Sequence, residues 1–171
     1  YSMAFRNKIA DGKTIAGWHQ DTLYLPIEPV LVIGALALSE CSIDHGCLQV
    51  IPGSHKKEIL AHGEAADPHS ILARGQYIEE DFDTSSAVDL SLKPGEIGLI
   101  NSGIIHGSPV NRTDERRIML LVEMMATHAT SHRDRETAML VRGKDIHNHH
   151  DHDVPARTEF GPEEQAAWLA A

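Results

Sequence analysis

Short apolar segments separated by turn residues run through most of this chain and limit the folds that it can adopt. Segments of this kind occupy residues 2–6, 14–24, 30–38, 47–51, 96–101, 104–110 and 117–125. Glycine, proline, asparagine or aspartate stands between them, which is typical of β-strands joined by turns rather than of amphipathic helices. Helical character is confined to residues 163–170, after a Gly-Pro pair. The sequence therefore predicts an all-β sandwich or barrel of the jelly-roll (cupin-like) type with minor helical segments.

The composition excludes several classes of protein. The 25 acidic and 15 basic residues give a net charge of −10, which disfavours a nucleic-acid surface. The longest apolar run, residues 30–38, has nine residues, whereas a membrane-spanning helix needs about 20. We predict that this run is a strand buried on both faces. Cys41 and Cys47 match no disulfide, zinc or redox pattern, so we expect reduced thiols and a cytoplasmic location.

The length of the chain and one long polar stretch set the expected domain organisation. A chain of 171 residues fits a single domain. The chain begins at Tyr1 inside a segment that already resembles a strand, so we expect that an N-terminal portion is missing. Residues 56–89 are polar and predict a long inserted loop that acts as a lid or substrate loop. Within it, Arg74 is the residue that we would test first for substrate contact.

His19 and Asp21 are the strongest candidates for metal ligands. Residues i and i+2 of a strand project from the same face, so an imidazole and a carboxylate can meet at one ion. His106, between a strand and a turn, is the candidate third ligand. Two histidines and one carboxylate form the facial arrangement of non-haem Fe(II) oxygenases, although an isolated His-x-Asp pair is often only a surface pair. Other histidines in turn or loop sequence are expected to be solvated: His45, His55 and His62.

Arg117 is the candidate for binding an anion beside this metal. It follows His106 by 11 residues, and a turn over residues 111–115 would place the two strands side by side. The planar guanidinium matches a carboxylate, and an inward arginine among apolar residues is costly unless it meets an anion. Arg116 is the alternative, with its side chain on the opposite face, and a surface salt bridge remains open for either residue.

Several motifs in order along the chain resemble one enzyme family. They are Trp18-His19-Gln20-Asp21, the stretch of residues 46–56 from Gly-Cys-Leu-Gln to Ser-His-Lys, Pro94-Gly95-Glu96, His106-Gly107-Ser108, Asn111 and Arg116-Arg117. Together they resemble the phytanoyl-CoA dioxygenase family of Fe(II)- and 2-oxoglutarate-dependent oxygenases, over roughly residues 14–145. Two further segments, residues 73–76 and 140–143, resemble a bacterial branch of that family.

This resemblance implies a fold and a reaction. The fold would be a double-stranded β-helix, and the reaction the hydroxylation of an unactivated C–H of a small-molecule metabolite. Oxygen would be consumed, and 2-oxoglutarate converted to succinate and carbon dioxide. The presence of Asp21 argues against halogenation, because halogenating relatives have a small residue there.

The resemblance also assigns site residues. The implied iron ligands are His19, Asp21 and His106. The implied 2-oxoglutarate-binding residues are Arg117, Gln20 and Ser108. Asn111 could lie near the cosubstrate or serve only in the turn.

Other functions remain open at this stage. Residues 147–153 are rich in histidine and aspartate and could bind a second metal or form a surface segment. A non-catalytic jelly-roll sensor or binding protein would keep the metal ligands without needing Arg117. A zinc-dependent isomerase or hydrolase would favour more histidines and no arginine. Neither a nucleic-acid nor a membrane partner is expected, and the sequence does not predict an oligomeric state.

Overall fold

Two four-stranded antiparallel sheets form the centre of the fold in the computed structural model, which describes residues 2–25, 27–133, 136–159 and 161–170. The strands are β1 Met3–Lys8, β2 Ala16–His19, β3 Ile27–Glu28, β4 Val32–Ala37, β5 Leu48–Val50, β6 His62–Glu64, β7 Gln76–Ile78, β8 Val88–Leu90, β9 Ile97–Asn101, β10 His106–Ser108, β11 Arg117–Met124, β12 Thr130–Ser131, β13 Thr137–Ala138 and β14 Asp151–His152. The helices are two short 3-10 helices, Asp21–Leu23 and Ser54–Lys56, and one α-helix, α1 Pro162–Ala170.

The order of the strands is that of a jelly roll. The first sheet has the order β1-β11-β4-β9 and the second β2-β10-β5-β8. Three small pairs accompany them: β3 with β12, β6 with β7, and the parallel pair β13 with β14. The predicted all-β jelly roll with minor helical segments is confirmed.

The core lies between the two sheets because the strands alternate inward and outward side chains. Inward residues Ala35 and Ala37 of β4 pack with Met119 of β11 and Leu48 of β5. The prediction that residues 30–38 are buried on both faces is wrong: the inward side of β4 is buried, whereas Val32 on its outer side is 42% exposed.

The outer side of the first sheet remains apolar and exposed. Cross-strand partners share a face, so the registers place Met3 opposite Val122, and Phe5 opposite Leu120. We call the exposed members of this surface the apolar outer face: Met3, Phe5, Val32, Leu38, Ile97, Leu99 and Met124.

Two segments differ from their predicted structure. Residues 14–24, expected to be extended throughout, form β2 and then a 3-10 helix from Asp21. Residues 56–89, expected to form one long loop, contain the β6–β7 hairpin and reach into β8. No helix within the described ranges is long and apolar enough to cross a membrane.

Candidate metal centre

His19, Asp21 and His106 meet at one end of the second sheet. His19 ends β2, and His106 begins β10 directly opposite it, with ring centroids 4.2 Å apart. Gln20 is extended (φ −126°, ψ 121°), so Asp21 lies on the same side as His19 although the strand has ended. The carboxylate oxygens of Asp21 lie 3.3 Å from His19 Nε2 and 3.5 Å from His106 Nε2. One ligand atom from each residue therefore lies within 4.8 Å of the others.

The backbone orients both imidazole rings. His19 Nδ1 lies 2.7 Å from the carbonyl oxygen of Gly17, and His106 Nδ1 lies 3.0 Å from that of Ile104. A ring nitrogen that donates to a carbonyl leaves the other nitrogen as an acceptor. In both residues the acceptor is then Nε2, which faces Asp21. This pattern is the one that a histidine needs to bind a metal through Nε2.

The charge state of these residues also favours a metal. Burial and the positive charge of a protonated His19 lower the pKa of His106 to about 4, although Asp21 acts in the opposite direction. Burial raises the pKa of Asp21, but the charge that His106 carries when protonated, and the hydrogen bond that a protonated His19 donates, outweigh it and lower this pKa to about 2. A neutral imidazole and an ionised carboxylate are the ligand forms that a divalent cation binds.

Arg117 reaches the same cavity by a different route from the one predicted. The turn over residues 111–115 carries the chain from β10 in the second sheet to β11 in the first, so the two strands are not neighbours. Arg117 points inward from β11, is only 2% exposed, and donates from Nη2 to Ser108 Oγ over 3.1 Å. Its Nε has no partner among the described residues, and burial lowers its pKa. Arg116 is exposed, as the alternation along the strand requires.

Lys8 is a buried cation that the sequence analysis missed. It is directly opposite Arg117 on β1 and is 0% exposed. Its Nζ donates to Ser108 Oγ over 2.5 Å and to the carbonyl oxygens of Ser108 and Pro109. A sequence signal existed: Met3 and Phe5 alternate with Arg6 and Lys8, so one side of this strand is basic.

Two other predicted residues are held by the backbone. Gln20 is buried beyond the metal ligands: its Nε2 donates to the carbonyl oxygen of Gly103, and its Oε1 accepts from the Leu60 N–H. Asn111 closes the turn before β11 by donating to the carbonyl oxygen of Glu115 and accepting from Thr113. Neither side chain lines the metal cavity.

The three candidate metal ligands line a narrow cavity of about 50 Å³ between the sheets. Further polar groups of this cavity come from Arg6, Ser108, Arg117 and Glu123, and Ile71 and Leu72 contribute apolar side chains from the connection between β6 and β7. Arg74, in the same connection, instead forms an ion pair with Glu64 and lies over the ring of Tyr24.

Further histidines are held in other ways. His62 Nε2 accepts from the Gln20 N–H, so this residue is not the solvated loop histidine that was expected. In residues 147–153, His147 stacks on His149, His150 is buried, and His152 pairs with Asp145. Among the described residues, only His19, Asp21 and His106 come together as a group able to hold a metal.

A jelly roll that brings two histidines and one carboxylate together beside a buried arginine has the form of a non-haem iron protein. Residues 1–119 match the model of the phytanoyl-CoA dioxygenase (PhyH) family, so the chain belongs to that family. The resemblance predicted from the sequence is confirmed. The enzyme class expected from the sequence, a 2-oxoglutarate-dependent dioxygenase, is the class of this family.

Related proteins extend beyond this chain. A probable phytanoyl-CoA dioxygenase of Caenorhabditis elegans is 31% identical over 99 residues, covering 56% of this chain and 31% of that protein. The human peroxisomal phytanoyl-CoA dioxygenase is 29% identical over 97 residues, covering 56% and 29%. The chain thus spans about a third of the length of these curated relatives.

Two solved structures have the same fold. The non-heme monooxygenase ThoJ in its apo form matches all of this chain and 62% of its own, with a TM-score of 0.86 and 24% identity. EvdO2 of Micromonospora carbonacea var. aurantiaca, complexed with 2-oxoglutarate, matches 77% of this chain and 55% of its own, with a TM-score of 0.60 and 27% identity. The likeness to ThoJ shows the fold alone. EvdO2 binds 2-oxoglutarate, the cosubstrate that was predicted for this chain from its sequence.

Proposed function

We propose that the protein is an Fe(II)- and 2-oxoglutarate-dependent dioxygenase that hydroxylates an unactivated C–H of a small-molecule metabolite. The observation that carries this proposal is the meeting of His19, Asp21 and His106 within 4.8 Å in a cavity that also holds a buried arginine. Family membership and the 2-oxoglutarate complex of a relative support it.

The donor set fits iron. Two imidazole nitrogens and one carboxylate oxygen leave adjacent coordination positions open, as Fe(II) oxygenases require. His19, Asp21 and His106 would hold the ion. Iron bound there would supply oxygen activation coupled to the oxidative decarboxylation of 2-oxoglutarate, which yields succinate and carbon dioxide.

The residues around the metal would bind and orient the cosubstrate. Arg117 would pair with the far carboxylate of 2-oxoglutarate, because its guanidinium is buried and its Nε lacks a protein partner in the described ranges. Ser108 lies beside it and holds Nη2 in place. Apolar residues Met119 and Leu121 line the cavity between this anion site and its far end, and they would exclude water from the reacting atoms.

The substrate would enter through a second, larger cavity. It measures about 370 Å³, within the range of small-molecule pockets, and shares Glu123 with the metal cavity. Its lining is mainly apolar and includes Met124, Leu140 and Arg142.

The segment of residues 56–89 would act as the lid, since movement of Ile71 and Leu72 would widen the narrow metal cavity. A single-domain organisation and a cytoplasmic location stay predictions.

Turnover of 2-oxoglutarate without substrate tests the proposal. Fe(II), oxygen and the protein are expected to release succinate slowly, and His106→Ala is expected to abolish both this release and metal binding. His55→Ala is the matched control, because His55 is exposed on a 3-10 helix and outside the cavity. A metal-binding sensor would bind Fe(II) without releasing succinate, and a zinc enzyme would release none with either metal. Either result would reject the proposal.

A further inference from the structure

Two positive side chains face each other in the interior beside the metal cavity. Lys8 and Arg117 are directly opposite in the register of β1 and β11, and both point inward. Like charges directly opposite on neighbouring strands destabilise a sheet, and burial makes the repulsion larger. The sequence nevertheless places both cations at this position.

The two cations meet at one hydroxyl group. Ser108 Oγ accepts from Lys8 Nζ and from Arg117 Nη2, so the lone pairs of this oxygen are both engaged. Its own proton is donated to the carbonyl oxygen of Gly46 over 2.8 Å. The remaining Lys8 contacts go to backbone carbonyl oxygens, which fix the ammonium group without neutralising it. The position of the guanidinium therefore depends on Ser108, and that of Ser108 on Lys8.

Among the described residues, no carboxylate pairs directly with either cation. Within the described ranges, neither Lys8 nor Arg117 forms an ion pair with an aspartate or glutamate. The thiols of Cys41 and Cys47 act on these cations, but burial raises the pKa of both thiols, so they are neutral. The Asp11 carboxylate acts on Lys8 without forming an ion pair with it. Uncompensated buried charge is costly, and a ligand anion would remove the cost.

We propose that Lys8 is a positioning residue for the distal carboxylate of 2-oxoglutarate: it fixes Ser108 and, through Ser108, the guanidinium of Arg117. This inference rests on the proposed function. Lys8 itself stays bonded to Ser108 and to backbone carbonyl oxygens, while the free edge of Arg117 meets the carboxylate.

Calorimetry on the Mn(II)-loaded protein tests this role without turnover. The ligands are 2-oxoglutarate and 2-oxopentanoate, which has the same chelating end and a methyl group in place of the distal carboxylate. Lys8→Met is expected to weaken 2-oxoglutarate binding about tenfold, which corresponds to about 1.4 kcal/mol. Binding of 2-oxopentanoate and of Mn(II) is expected to be unchanged. Lys13→Met, at an exposed lysine in the β1–β2 connection, is the matched control and should match the wild type.

A purely structural lysine would give a different result. Equal weakening of both oxo-acids, or no weakening of either, would overturn the inference while leaving the proposed function in place. Lys8→Gln, which keeps a donor without the charge, replaces Lys8→Met if the latter does not fold; failure of both variants to fold would also overturn the inference. A wild-type protein that does not bind 2-oxoglutarate would end the proposed function and this inference together.

Discussion

Arg116 and Arg117 are neighbours in the chain with opposite environments. The side chain of Arg116 is in solvent, whereas that of Arg117 is buried against Ser108 at the metal cavity. The two residues therefore form a natural pair for comparing a surface cation with a buried one at the candidate metal centre. A solvent-exposed charge contributes little to binding, and a buried charge-assisted hydrogen bond contributes much more.

Arg117→Ala is expected to raise the KM for 2-oxoglutarate by roughly tenfold to a hundredfold, because a hydrogen bond to a charged group contributes about 1.5 to 3 kcal/mol. The change in kcat should be smaller, since the metal ligands are untouched. Arg116→Ala should leave both constants near those of the wild type. Succinate formation at varied 2-oxoglutarate concentration measures these effects, and similar KM values for both variants would contradict the assignment.

Lys8 makes the stability of the ligand-free protein depend on pH. Burial and the charge of Arg117 lower its pKa from 10.5 to about 7, so between these values the unfolded chain binds more protons than the folded one. The linkage relation then makes the Lys8 contribution to stability rise with pH across this window. Cys47 and Asp11 also act on this ammonium group, in the opposite direction to Arg117.

We therefore expect the stability of the wild type relative to Lys8→Met to increase as the pH is raised from about 7 towards 10. Urea unfolding of both proteins at several pH values, without oxo-acid, measures the difference. A difference that does not change with pH would show that Lys8 keeps an ordinary pKa in the folded protein, and a difference that falls would show that its pKa is raised.

At the scale of single elements, the sequence predicted where the strands lie along the chain better than which strands pair with each other in the sheets. Turn residues and apolar periodicity locate β9, β10 and β11 within a few residues, and the His-x-Asp spacing locates two of the three residues that the fold brings together as candidate metal ligands. The pairing of β10 with β11 was wrong, because a turn between strands looks the same whether the chain stays in one sheet or crosses to the other. Lys8 was missed because its burial also depends on how the strands pair: the residues that bury it are in β11 and at Gly46, both distant in sequence.

The β6–β7 hairpin depends on one glycine. Gly75 has a φ of +60°, and a Cβ there would lie 1.8 Å from the carbonyl oxygen of Ala65. Gly75→Ala is expected to destabilise the hairpin. The left-handed backbone conformation alone costs a residue other than glycine about 1 to 3 kcal/mol, and the clash with Ala65 adds to this cost. Faster hydrogen exchange of the connection around Ile71 and Leu72 measures the loss. Gly53→Ala is the control, since φ is +81° there but no atom lies within 4 Å; equal effects of both variants would contradict the steric explanation.

At the scale of the whole molecule, the apolar outer face is the surface through which we expect this protein to contact other molecules. Met3, Phe5 and Leu99 are 70%, 69% and 64% exposed on one flat side of the first sheet. Contiguous apolar surface of this kind favours contact with other molecules over contact with water. Phe5 and Leu99 line neither the cavity at the metal site nor the larger one, so these two side chains can be altered without touching the site.

The double variant Phe5→Ser with Leu99→Ser is therefore expected to reduce self-association of this chain while leaving 2-oxoglutarate binding unchanged. Light scattering over a concentration series measures the association. Val141→Ser is the control: it removes an apolar side chain that is also highly exposed (82%) but lies outside the first sheet. This variant is expected to leave self-association unchanged. Unchanged scattering of the double variant would mean that association, if any, uses another surface.

The spacing of His106 and Ser108 on β10 sets the length of the ligand that the proposed site can hold. Two residues of a strand span about 6.6 Å, which separates the metal end of the cavity from its cationic end. A keto acid held at the metal reaches the cations only if its carbon chain has the matching length. Under the proposed function, the five-carbon chain of 2-oxoglutarate would bridge this gap, whereas oxaloacetate, one carbon shorter, would chelate the metal and stop short of Arg117. In the proposed function, the rise per residue of a single β-strand would thus decide the length of the oxo acid that the site accepts.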